Sequence, residues 1–336
     1  SLLVAAAHTR LRATDRPPLL KPLPLKSDWA LKLMAIAAVF CASSHAIGVG
    51  MADGFFADTP DTMTKDAITL KEHDIVESTL HSAAILAPLN HFYPFLRADA
   101  AAKAGLTRQA VSHYQSALRL SPTSALTLQD LGRLLGRAGR PVLAEQLLKA
   151  AIRRAVQSPD GYSAYAGWLI EKRRDKEGLD QMRVAIERDP KHARDYIDSM
   201  DLWGLSAVDM ARAIPDLIEP CLAMAMYLQE ISDDEGVEQY YRKAMWAESR
   251  SDRAHAGLYQ RIYHHYFEQR NWQKALAVMQ LAVDRLPDDP GLRISIARVY
   301  EKLGITYRAS EEYQKALILR PGNRAAQDGL RRLVNQ

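Results

Sequence analysis

The stretch TRQAVSHYQSALRLSP at residues 107–122 decides the fold. Ala110, Tyr114 and Ala117 recur at i, i+4 and i+7, which is one face of an α-helix. Small alanines let a second helix approach closely, the aromatic ring fills the space beside them, and Pro122 stops the helix. The same face returns along the chain. Ala83, Ala117, Ala151 and Ala185 follow one another at intervals of 34, as do Ala110 and Ala144, Ala275 and Ala309, and Ala282 and Ala316. Pro88 and Pro122, and Pro287 and Pro321, keep the same interval. A period of this length describes a helix hairpin: helix A, a short turn, helix B, and a proline before the next unit. Leu131-Gly132 supplies the small residue that helix A needs where its partner crosses.

These residues resemble the tetratricopeptide repeat family, whose units carry a small residue in helix A, Ala-x3-aromatic-x2-Ala in helix B and a closing proline. The fullest copies are Ala110, Tyr114, Ala117 and Pro122, then Ala309, Tyr313, Ala316 and Pro321. The resemblance implies an all-α fold, a right-handed superhelical solenoid of antiparallel helix pairs. Units are expected at 91–124, 125–158, 159–192, 218–251, 256–289 and 290–323. A degenerate first unit is expected at 57–90, and a closing helix at 324–334 with a polar outer face. Gly178 replaces the first helix B alanine of its unit, and Met182 and Met279 replace the aromatic. The period fails at 193–217, which holds Trp203-Gly204 and Pro215, and Ala244 to Ala282 is 38 residues. Two blocks result, 91–192 and 218–336, preceded by a linker with the degenerate repeat at 52–90 and separated by an irregular connector at 193–217 that forms a kink or an extra helix.

Before the repeats, WALKLMAIAAVFCASSHAIGVGM at residues 29–51 is long and apolar enough to span a bilayer, with Lys32 near one boundary. Its apolar residues run all round the helix, unlike those of a helix with one buried face. Arg10, Arg12, Arg16, Lys21 and Lys26 lie before it, and residues 52–78 hold seven acidic and two basic side chains. By the positive-inside rule the basic segment 1–28 stays cytoplasmic and the repeats lie in the periplasm of a bacterial inner membrane. A cleaved signal ending at Ser44-His45-Ala46 and a buried core helix are the competing readings of Trp29–Met51. The chain opens on Ser1, and SLLVAAAHTRLR at 1–12 reads as the tail of another apolar segment, as if cut from a longer protein.

Composition narrows the chemistry. With 48% hydrophobic and 25% charged residues the chain is a folded one, and a net charge of +4 gives no reason to expect a nucleic-acid partner. The two cysteines, Cys41 and Cys221, form no C-x-x-C motif, and neither a Walker loop nor H-E-x-x-H is present. His264 and His265 are adjacent, so on a helix they point about 100° apart and make a poor chelating pair. Asp233-Asp234-Glu235 and Asp288-Asp289 fall at turns, where carboxylates cap helices. No catalytic, cofactor or metal site is expected.

The resemblance implies that helix A side chains line an inner, concave wall that takes a protein or peptide. In the second unit these are Gln129, Arg133 and Arg137. In later units they are Gln260, His264 and Phe267, then Arg298, Glu301 and Lys302. Arginine and aromatic residues dominate binding hot spots. The Lys/Asn carboxylate clamp of chaperone-binding members is not reproduced. The leading expectation is therefore a membrane-anchored interaction scaffold. A second is the non-catalytic tail of an O-antigen ligase or polysaccharide polymerase, since the order of basic loop, last span, acidic linker and repeats is similar to theirs. A third is an accessory subunit of a larger membrane complex.

Overall fold

The computed structural model describes Lys65 and residues 67–334. The expected span Trp29–Met51 lies outside the described residues, and no helix among those described is long and apolar enough to cross a membrane. All the regular structure described is helical, and the chain divides after Ala104 into two units.

The described part of the first unit is two helices, α1 (Leu70–Leu86) and α2 (Phe92–Lys103). Thr69 opens α1 through a reciprocal capping box with Glu72. The guanidinium of Arg97 on α2 donates to the Glu77 carboxylate on α1 at 3.0 Å, tying the pair together. Helix A of the expected unit 91–124 thus belongs to the first unit and its helix B opens the second.

The second unit begins with α3 (Thr107–Leu120) and continues as hairpins. These pair α4 (Ala125–Arg137) with α5 (Pro141–Arg154), and α6 (Pro159–Glu171) with α7 (Asp175–Arg188). After the irregular stretch come α10 (Ile218–Glu230) with α11 (Asp234–Ser249), and α12 (Ala256–Glu268) with α13 (Trp272–Arg285). The last pair is α14 (Pro290–Lys302) with α15 (Thr306–Leu319), and α16 (Arg324–Val334) packs on it. Each helix B buries the face read from the sequence: Ala110, Tyr114 and Ala117 on α3, Ala144, Leu148 and Ala151 on α5, and Ala309, Tyr313 and Ala316 on α15. A continuous core runs from Tyr162 to Ala309 and passes through the connector.

The departures from the pattern have packing causes. A Cβ on Gly178 would lie 2.7 Å from Ile170 Cγ1 and 3.0 Å from the Ala166 carbonyl, so glycine here lets α7 close on α6 beyond what alanine allows. The four extra residues before Ala282 lengthen α11 and the loop after it. That loop is held by Arg285, whose Nη2 donates to the Ser251 carbonyl at 2.9 Å. The connector is a shortened hairpin. Its helix A, α8 (Ala193–Leu202), is formed, and the helix B position holds a single turn, α9 (Ala207–Met210).

The turn between helices A and B carries a left-handed residue in every hairpin of this unit: Gly139, Arg173, Gly204, Ser232, Arg270 and Gly304, with φ between 58° and 78°. Gly139 to Arg173 and Arg270 to Gly304 keep the interval of 34, whereas Arg173 to Gly204 is 31 and Gly204 to Ser232 is 28. These two short intervals are the broken period at 193–217.

Candidate functional site

Three consecutive A helices, α4, α6 and α8, line a cleft of about 440 Å³. Gln129, Arg133 and Arg137 from α4 form one side, spaced four residues apart so that they share a face. Adding 34 to each gives Ser163, Gly167 and Glu171 of α6, all of which line the cleft. On α8 the equivalents fall 32 residues further, at Asp195, Ser199 and Trp203. Asp160, Tyr196 and Trp168 complete the aromatic and acidic part of the lining.

The floor is held in place by packing and charge. Trp168, 5% exposed, stacks on Tyr165 with ring centroids 5.9 Å apart. Gly136 admits that indole, since a Cβ there would lie 2.8 Å from Nε1. The Tyr165 hydroxyl donates to Glu145 of α5 at 2.8 Å, and Arg174 Nη1 donates to the same carboxylate at 3.1 Å. With Lys149 as a third donor, Glu145 is held down at a pKa of about 2. Gly167 opens room for the connector: Trp203 Cζ2 sits 2.8 Å from where its Cβ would be, so the indole lies over α6.

The electrostatics of the cleft are lopsided. Arg133 is already paired with Asp130 at 2.8 Å, and Arg137 is exposed. Three exposed carboxylates, Asp160, Glu171 and Asp195, line the same cleft. Burial first, then the nearby charges of Asp189, Asp160 and Asp195, push the Tyr196 phenol up to about 12.

The other residues expected on the wall lie outside this cleft. Gln260 Nε2 donates to Ser295 Oγ at 3.4 Å, bridging α12 and α14. His264 is exposed and meets Tyr263 edge-on at 5.1 Å. Phe267 is half-buried between Tyr263 at 5.2 Å and Trp272 at 5.0 Å, where it packs against the core. Arg298 and Lys302 are exposed, and Glu301 accepts from Arg332 of α16 at 3.4 Å. Asp160, Glu171, Asp195, Tyr196 and Trp203 were not singled out from sequence. Glu171 was within reach, one period beyond Arg137. Trp203 was hidden by the change of interval.

Among the described residues, no group of three histidine, cysteine or acidic side chains is placed to hold a metal ion. Cys221 is buried, and burial pushes its thiol up to about 12.

No curated protein matches the sequence. Among solved structures, the chain aligns with the Cut9–Hcn1 hetero-tetramer of the APC/C at 13% identity and a TM-score of 0.34, covering 78% of this chain and 52% of that one. It thus spans about half the length of that protein. YrrB, described as a TPR protein with an unusual peptide-binding site, aligns at 13% identity and a TM-score of 0.31, covering 75% and 97%. MamA from Desulfovibrio magneticus RS-1 aligns at 15% and 0.35, covering 60% and 97%. Residues 101–167, which contain α3, α4, α5 and most of α6, match the tetratricopeptide repeat family. The chain therefore carries tetratricopeptide repeats, and the hairpins beyond the matched stretch bury the same helix B face.

Proposed function

We propose that this protein is an interaction scaffold that holds a protein or peptide partner in the cleft of α4, α6 and α8. One observation carries the reading. Residues at equivalent positions of three successive repeats converge on one open cleft. Exposed charged groups in the same lining as the rings of Tyr196 and Trp203 suit recognition of an extended chain, with anchoring by aromatic contact and orientation by charge.

The scaffold is carried on a bacterial inner membrane by Trp29–Met51, with the repeats in a right-handed superhelix on the periplasmic side. The length and hydropathy of that segment and the opposed charge of its flanks support this placement. On this reading it recruits other envelope proteins and performs no chemistry itself.

Site-specific photo-crosslinking in cells tests the first part. A crosslinker at Ser163 or Ser199, both in the cleft, should trap a discrete partner, and one at Asp252 on the loop after α11 should not. Equal labelling from all three positions would remove the cleft from the function. Protease treatment of spheroplasts tests the placement, because residues 67–334 should be digested while the outer face is accessible.

A further inference from the structure

We propose that the α4, α6 and α8 cleft recognises a lysine or arginine side chain of an extended peptide. The inference rests on the reading of this cleft as the partner-binding surface and names the chemistry it selects. Among the described residues, neither Glu171 nor Asp195 has a side-chain hydrogen bond or an ion pair, and Asp160 accepts only the Ser158 hydroxyl, at 3.1 Å. Against these three carboxylates the cleft offers one guanidinium free of a partner, Arg137, because Arg133 is committed to Asp130. The uncompensated charge is negative.

The rings point the same way. This chain places its own cations over several aromatic rings of the second unit: Arg188 over Tyr162 at 4.5 Å, Arg250 over Trp246 at 4.6 Å, Lys243 over Tyr240 at 4.7 Å. Among the described residues no cation lies over Tyr196, which packs in part against the core, or over Trp203, which is 36% exposed, and both line the cleft. Ring edges and faces open to the cleft and carboxylates without a partner are the two elements that attract a cation, the ring faces by their quadrupole and the carboxylates by charge. Arg137, at the far side, is left to take a carbonyl or an acidic neighbour of the same peptide.

The test uses the full chain in detergent and nonapeptide sublibraries with a fixed centre, either Lys/Arg, Asp/Glu or Leu/Phe, in otherwise random sequence. Retention of the Lys/Arg sublibrary is expected above the other two. The Glu171→Gln, Asp195→Asn double variant should weaken it about ten-fold, and Asp252→Asn should not. Both substitutions fall at exposed positions, and an unchanged helical circular-dichroism spectrum shows that the fold survives them. Preferential retention of the Asp/Glu or the Leu/Phe sublibrary overturns the proposal while leaving the cleft a partner site. So does Lys/Arg binding that the double variant leaves intact. Retention of no sublibrary defeats the partner-binding reading itself, and this inference with it.

Discussion

At the scale of single residues, the turn between helices A and B sets the sharpest constraint. Arg173 and Arg270 hold φ of 58° at the position where Gly139 and Gly304 hold 76° and 72°. A Cβ in left-handed backbone costs roughly 1–2 kcal/mol, partly offset by the greater unfolded-state freedom of glycine. Arg173→Gly and Arg270→Gly should therefore each stabilise the chain by up to about 1 kcal/mol. Gly139→Ala should destabilise it by about 1 kcal/mol, although nothing lies within 4 Å of the added Cβ. Urea melts followed by circular dichroism measure all three. A loss of stability in Arg173→Gly would mean that the arginine side chain does more than the turn demands. The pairing of Gly139 with Arg173 also shows why the turn is hard to read from sequence. The backbone requirement returns in every hairpin of the unit, yet the residue that meets it changes.

At the scale of elements, helix B was legible and helix A less so. Helix B announces itself because its buried face needs alanine where helices cross, so Ala110, Ala117, Ala144 and Ala151 recur as letters. Helix A lines the cleft, where equivalent positions meet different surroundings: Gln129 is buried, Ser163 half-buried and Asp195 exposed, and the three are unlike in type. The connector was legible only as a break, because its helix B is cut to one turn and α8 is displaced from the 34-residue register. Two predictions belong here. Glu145 joins α5 to α6 and to the start of α7 through Lys149, Tyr165 and Arg174, in that order bridging within α5, to the floor of the cleft, and to the turn. Its folded pKa, about 2, lies below the usual 4.5. The stability it contributes is therefore full above pH 4.5 and is lost as pH falls toward 2. Glu145→Gln should be less stable than the parent at pH 7, with the difference vanishing toward pH 2; a constant difference across that range would refute the assignment. The second concerns α16. A Cβ on Gly329 would intrude on the Tyr313 ring, which is fully buried. Gly329→Ala should lift α16 from α15, seen as early proteolytic cleavage after Arg324 or Arg331 with α14 and α15 left intact.

At the scale of the second unit as a whole, stability follows from how its repeats share their cores. One apolar cluster links residues from Tyr162 to Ala309, while smaller clusters lie toward each end, around Leu148 and Trp168 and around Tyr313 and Ala326. Helices packed on both sides lose more apolar surface to their neighbours than a terminal helix does, and α16 fully buries only Ala326 and Gly329. Amide exchange should therefore be slowest in α10 to α13 and fastest in α16. Coupling between repeats is then measurable by cutting the large cluster at one point. Met279 on α13 stands where other repeats carry an aromatic and is 0% exposed. Met279→Ala should cost about 2–5 kcal/mol through the cavity it leaves. If each hairpin leans mainly on its neighbours, the loss of protection will centre on α12 to α14 and spare α4 to α6. A uniform loss from α4 to α16 would instead show a single cooperative block, in which the connector transmits the full cost of the cavity. The unbroken cluster through Met200, Met210 and Ile214 supplies the contacts for such transmission, but the single turn of α9 has little surface with which to carry it. The graded outcome is the one this packing favours.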